Sequence, residues 1–184
     1  MFIQTEPTPN PQTLKFLPGK TVMDRGTIEL ADAADAEARS PLAARVFAVD
    51  GVAGVYLGHD FISVTKLAAE DWQILKPAVL GAIMEHFMSG EPHVAADLDL
   101  EEQSSEDDDE TVKQIKELLD SRVRPAVAQD GGDIVFHGFD RGVVYLHMRG
   151  ACAGCPSSVV TLKNGIENLL KYYVPDVVEV RAVS

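Results

Sequence analysis

The chain has 184 residues, 46% of them hydrophobic, enough to bury one sizeable core or two small ones, and a formal charge of -13. The charge is uneven: residues 1–96 carry -5, residues 97–110 carry -9 and residues 111–184 carry +1. No basic face is visible for nucleic acid, and no apolar run approaches the roughly 20 residues that span a bilayer.

Phe2 to Thr5 and Thr13 to Leu17 read as short strands on either side of Pro7-Thr8-Pro9-Asn10-Pro11, whose prolines cannot donate to a ladder. Ser40-Pro41 opens a short helix through about Phe47. Val52 to Leu57 and Phe61 to Lys66 form a hairpin about Gly58-His59-Asp60. A longer helix from about Asp71 to Met88 carries Trp72, Leu75, Val79, Ile83 and Phe87 on one side. Pro77 is expected to kink that helix or to mark its true start, and Gly90-Glu91-Pro92 to end it. His59, His86 and His93 show no clustering and read as surface or helix-end residues.

From Ala95 to Glu110 the chain holds nine acidic residues, and no Lys or Arg occurs between Pro77 and Val112. Such a segment repels itself and stays solvated. It predicts a flexible acidic linker, residues 95–110, between a module of residues 1–94 and a module of residues 111–184.

Beyond the linker, Val112, Ile115, Leu118, Leu119 and Val123 recur at helical spacing, so a helix reaches roughly Arg124, where Pro125 interrupts it. Gln129-Asp130-Gly131-Gly132 turns the chain, with Asp130 and Asp133 as turn residues. Ile134 to Phe139 and Val143 to Met148 form an antiparallel hairpin about Asp140-Arg141-Gly142. A loop from Gly150 to Cys155 leads into a helix marked by Val159, Leu162, Ile166, Leu169, Leu170 and Tyr173, and Val177 to Val183 supplies a closing strand. The fold class is α+β: two small modules, each a sheet covered by helices, joined by the acidic linker.

Cys152 and Cys155 are the only two cysteines, three residues apart at the strand-to-helix turn. Soft thiolates favour zinc, copper(I) or iron-sulfur clusters, and a closed tetrahedral or four-iron site wants four protein ligands. A cysteine-only site therefore needs a second molecule. Pro156 favours the first helical position, so Cys155 is expected at the N-cap, where unpaired amides lower a thiol pKa that otherwise leaves roughly 3% thiolate at pH 7. Ser157 and Ser158 are positioned in sequence to donate hydrogen bonds toward sulfur.

Two other chemistries compete. A thioredoxin-like redox pair also places CxxC at a helix start, but beside a βαβ unit, whereas an antiparallel hairpin precedes this loop. A structural zinc would recruit His137 and His147, although strand histidines more often alternate between core and solvent than converge. A pair that merely packs is weaker, since Ala153 and Gly154 leave little core around it.

The stretch Gln129-Asp130-Gly131-Gly132-Asp133-Ile134, the hairpin, and Gly150-Ala151-Cys152-Ala153-Gly154-Cys155-Pro156-Ser157-Ser158 closely resemble the NifU C-terminal domain of Nfu-type iron-sulfur cluster proteins. Thr8-Pro9-Asn10-Pro11-Gln12-Thr13-Leu14-Lys15-Phe16, the first hairpin, and Trp72 through Gly90 resemble the Nfu N-terminal domain. The resemblance implies a scaffold and carrier rather than an enzyme. Cys152 and Cys155 would bind a [4Fe-4S] cluster, one per dimer at an accessible subunit boundary, with a [2Fe-2S] form left open. The implied partners are a second copy, an upstream cluster donor and apo-protein acceptors, with no nucleic acid and no membrane. The resemblance further implies a cytoplasmic protein in a bacterium, or a mitochondrial matrix protein in a processed eukaryotic form.

Overall fold

The computed structural model describes residues 2–95, 109–152 and 156–183, the side chains of residues 156–159 excepted. The chain divides into two compact units, Met1–Leu100 and Glu101–Ser184. Residues 96–108, most of the predicted linker, lie outside the described residues.

In the first unit, β1 (Gln4–Pro7), β2 (Thr13–Leu17), β3 (Ile28–Leu30), β4 (Val52–Leu57) and β5 (Ile62–Lys66) form an antiparallel sheet in the order β1-β2-β5-β4-β3. The first strand starts two residues later than the sequence suggests. Pro7 ends β1, which is an edge strand with one neighbouring strand among the described residues, the setting in which a sheet tolerates proline. The helices are α1 (Ala33–Arg39), α2 (Pro41–Phe47) and α3 (Trp72–Ser89). Phe16, Ile62 and Val64 from the sheet meet Leu42, Val46, Leu75, Val79 and Ile83 from the helices in one core.

Sequence reading missed β3 and α1. β3 is three residues long, too short to show alternation, and α1 buries only Ala36, so it has no apolar stripe to detect. A hydrogen bond announces α1 instead: the Asp32 carboxylate accepts from the Asp35 N–H at 2.8 Å. Ser40 serves both neighbouring helices, closing α1 through its N–H to Ala36 O and capping α2 by accepting from the Ala43 N–H at 3.0 Å.

Pro77 does not mark the start of α3. The helix begins at Trp72 behind an Asp71 cap and runs through Pro77. The carbonyl that loses its partner belongs to Gln73, which like Pro77 is exposed, so water can replace the lost bond. Gly90, at φ 74°, closes the helix in the left-handed conformation.

In the second unit, α4 (Glu110–Leu118) opens behind an Asp109 cap and continues as a π-helical turn, Leu119–Val123, into α5 (Arg124–Gln129). The helical run therefore passes Pro125 rather than stopping there. The wide turn carries an Arg124 N–H bond to Leu119 O, five residues back, and so changes register just before the proline.

β6 (Gly132–Asp140) and β7 (Val143–Gly150) form the expected hairpin, with Arg141 at φ 51° and Gly142 at φ 81° in its turn. Then α6 (Pro156–Tyr173) crosses to β8 (Glu179–Val183), which pairs with β7 in parallel. A parallel neighbour reached through a helix is a βαβ unit. This corrects the sequence argument against a redox pair, which rested on the lack of one. Ile115, Leu119, Val127, Leu146, Ile166 and Leu170 bring α4, the π turn, α5, β7 and α6 into one core.

Candidate functional site

Cys152 follows directly on β7. Gly150 ends that strand at φ 62°, and the Ala151 N–H reaches back to Gly131 O at 3.2 Å. This bond ties the loop to the turn before β6. Cys152 is only 5% exposed and packs in the core cluster with Met148 and Val127. The sequence argument that little core surrounds the pair fails for this residue.

Cys155, Ala153 and Gly154 lie outside the described residues, as do the side chains of Ser157 and Ser158. α6 does begin at Pro156, the position that the N-cap expectation for Cys155 requires.

The histidines of the zinc alternative do not join Cys152. His137 is exposed and is the extra residue of a β-bulge, between the Phe136–Leu146 and Gly138–Tyr145 pairs. His147 alternates with Leu146 and Met148, the β7 residues that enter the core with Cys152, and so stands on the other face of the strand. Among the described residues no group of three or more His, Cys, Asp or Glu could hold a metal ion.

Asp133 is not a turn residue. It lies within β6, 3% exposed, and its carboxylate accepts from Arg124 Nε at 2.9 Å, Arg124 Nη2 at 2.8 Å and the Ile134 N–H at 2.8 Å. Arg124 Nη1 also donates to Asp120 at 3.1 Å. Sequence reading gave Arg124 only as the end of a helix; the one signal of its clamp was a cation nine residues from an acid beside the Gly-Gly turn.

The first unit holds a second polar cluster that the sequence did not announce. His86 is fully buried on α3, with its Nε2 3.0 Å from His93 Nδ1. The Phe87 ring packs 4.7 Å from the His93 ring, and Ser40 Oγ donates to His93 O at 2.5 Å. His86 is therefore interior, contrary to a surface reading, and His93 is half-buried beyond the helix end. Seven residues separate the two histidines, which places the second beyond the helix end, where only the fold brings it back.

Two family models account for most of the sequence. Residues 3–90 match "Scaffold protein Nfu/NifU N terminal" and residues 115–181 match "NifU-like domain". The human protein "NFU1 iron-sulfur cluster scaffold homolog, mitochondrial" is 50% identical over the whole chain, which spans 72% of that protein's length. The chain belongs to the Nfu family. Its Drosophila sechellia relative of the same description is 51% identical, again over the whole chain, which covers 65% of that relative. A solution structure of a NifU-like protein from Saccharomyces cerevisiae is 25% identical over 53% of this Nfu chain and 87% of that one, with a TM-score of 0.46. No helix among the described residues is long and apolar enough to cross a membrane.

Proposed function

We propose that this Nfu-family chain is an iron-sulfur cluster scaffold and carrier, not an enzyme. Its cargo is a [4Fe-4S] cluster held between two copies by Cys152 and Cys155 of each. The observation that carries the reading is the ligand count: one chain owns two cysteines, half of what such a cluster takes. The scaffold role printed in the names of relatives aligned over the whole chain supports it. The mitochondrial location in those names supports the matrix alternative for a processed eukaryotic form.

The chemistry needs no turnover. Four thiolates from two copies hold the cargo, and an acceptor's cysteines replace them one at a time, so delivery is ligand exchange. Binding requires deprotonated sulfur, which the N-terminus of α6 favours at position 155. Residues 1–94 serve partner recognition or control of delivery, residues 111–184 hold the cluster, and the acidic residues 95–110 link them.

A dithiol redox role is the second reading, and the β7-α6-β8 unit favours it. Anaerobic reconstitution followed by iron, sulfide and native mass analysis separates the two. A carrier gives about four irons and four sulfides per dimer, and none after Cys152→Ser or Cys155→Ser. A redox protein gives neither iron nor sulfide, and its Cys152-Cys155 pair cycles to a disulfide at a measurable potential.

A further inference from the structure

The Gly131-Gly132 pair contains two glycines for two different reasons. Gly131 has φ 79° and supplies a left-handed turn. Gly132 does not have a left-handed φ and begins β6, so its backbone suits any residue. Space excludes a side chain there. A Cβ on Gly132 would stand 2.5 Å from Cys152 Sγ, 3.0 Å from Arg149 O and 3.0 Å from Cys152 N.

Neighbouring bonds hold this approach in place. Gly132 is paired across the hairpin with Gly150, two residues before Cys152. Ala151 is tied to Gly131 O, and the next residue of β6, Asp133, is clamped by Arg124. The backbone on both sides of the gap is thus fixed, and the missing side chain leaves a space that the sulfur fills.

We propose that Gly132 is a positioning residue for Cys152, a bare seat on which its sulfur rests, inside the core, while the protein is metal-free. The inference rests on the reading of Cys152 as a cluster ligand and adds a resting state to it. One of the two thiols is kept from solvent and oxidants until loading, and loading lifts the sulfur off Gly132. A methyl group at position 132 fills the seat and drives the sulfur outward.

The test uses the metal-free full chain carrying Cys155→Ser, so that one thiol remains, with and without Gly132→Ala. Alkylation of Cys152 by iodoacetamide is expected to accelerate about tenfold in the Gly132→Ala protein, the order of effect of overpacking a filled site by one methyl. Far-UV circular dichroism should stay unchanged. Thermal unfolding in a Cys152→Ala background gives a readout that a general packing defect would not move. There the destabilisation by Gly132→Ala should shrink, because the sulfur it collides with is gone. If Gly132→Ala alone prevents folding, Cys152→Ala should restore it.

An alkylation rate within about twofold of the parent overturns the proposal, as does an equal loss of stability, or equal failure to fold, in both backgrounds. None of these measurements involves iron, so they stand apart from the iron and sulfide analysis that tests the carrier reading itself.

Discussion

Arg124 grips Asp133 through two parallel hydrogen bonds, Nε to Oδ1 at 2.9 Å and Nη2 to Oδ2 at 2.8 Å, joining the first residue of α5 to the start of β6. Burial opposes the charge of Arg124, but hydrogen bonds to Asp133 and Asp120 outweigh it and hold its pKa above the usual arginine value. Arg124 therefore stays cationic. Removing the cation strands a carboxylate whose side chain is 5% exposed. Arg124→Met should cost about 2–4 kcal/mol. Arg124→Lys keeps the charge but loses the fork and should fall between the two. Denaturant titration followed by NMR signals of residues 109–183 measures both, and a lysine variant as stable as the parent would contradict a two-bond clamp.

His86 makes the first unit sensitive to acid. Burial first, then the charges of His93 and Arg45, lower its pKa from 6.5 to about 4, with Glu91 opposing. Burial lowers His93 as well; Asp24 opposes this and Lys20 adds to it. Between about pH 6.5 and 4 the unfolded chain takes up a proton that folded His86 refuses, so this stability is complete above pH 6.5 and lost as the pH falls toward 4. The loss is at most about 3 kcal/mol. An NMR titration of the His86 ring should show no change between pH 8 and about 5.5, whereas a midpoint near 6.5 would mean that the ring is solvated.

Two helix glycines have no visible duty. Gly81 in α3 and Gly165 in α6 both have open space where a Cβ would stand. Glycine inside a helix costs about 1 kcal/mol relative to alanine, so Gly81→Ala and Gly165→Ala should each raise the melting temperature of their unit in calorimetry. A decrease would contradict the open space at that point.

The β6-β7 turn holds Arg141 at φ 51°, a left-handed conformation that Asn adopts more readily than Arg. Arg141→Asn should stabilise the second unit by about 0.5–1 kcal/mol. Gly142→Ala should do the reverse, since a Cβ there would stand 2.7 Å from Val178 Cγ2 in addition to straining the φ of 81°. Equilibrium unfolding of the two variants checks both signs.

Much of the fold was legible because its signals are short. The Ser40-Pro41 start and the strands Thr13–Leu17 and Val52–Leu57 each occupy a few consecutive residues, and the α3 stripe repeats within each turn of its helix. The helix past Pro125 was not legible, because a π turn shifts the register without altering the apolar spacing that precedes it. The candidate site was legible as a pair of ligand types at one turn. Its setting was not: neither the burial of Cys152 nor the Arg124 clamp follows from the residues beside them.

The sequence by itself determined where α2 and the strands β2, β4 and β7 begin, that the charge concentrates in residues 97–110, and that one chain brings two sulfurs. Only the tertiary structure decided that β8 runs parallel to β7, that a buried His86 meets His93, and that the Cys152 sulfur rests on Gly132. The division is physical. Periodicity, caps and ligand number are properties of a window a few residues wide. Strand direction, burial and close approach arise when distant segments compete for one core, and that competition is settled by packing the whole unit at once.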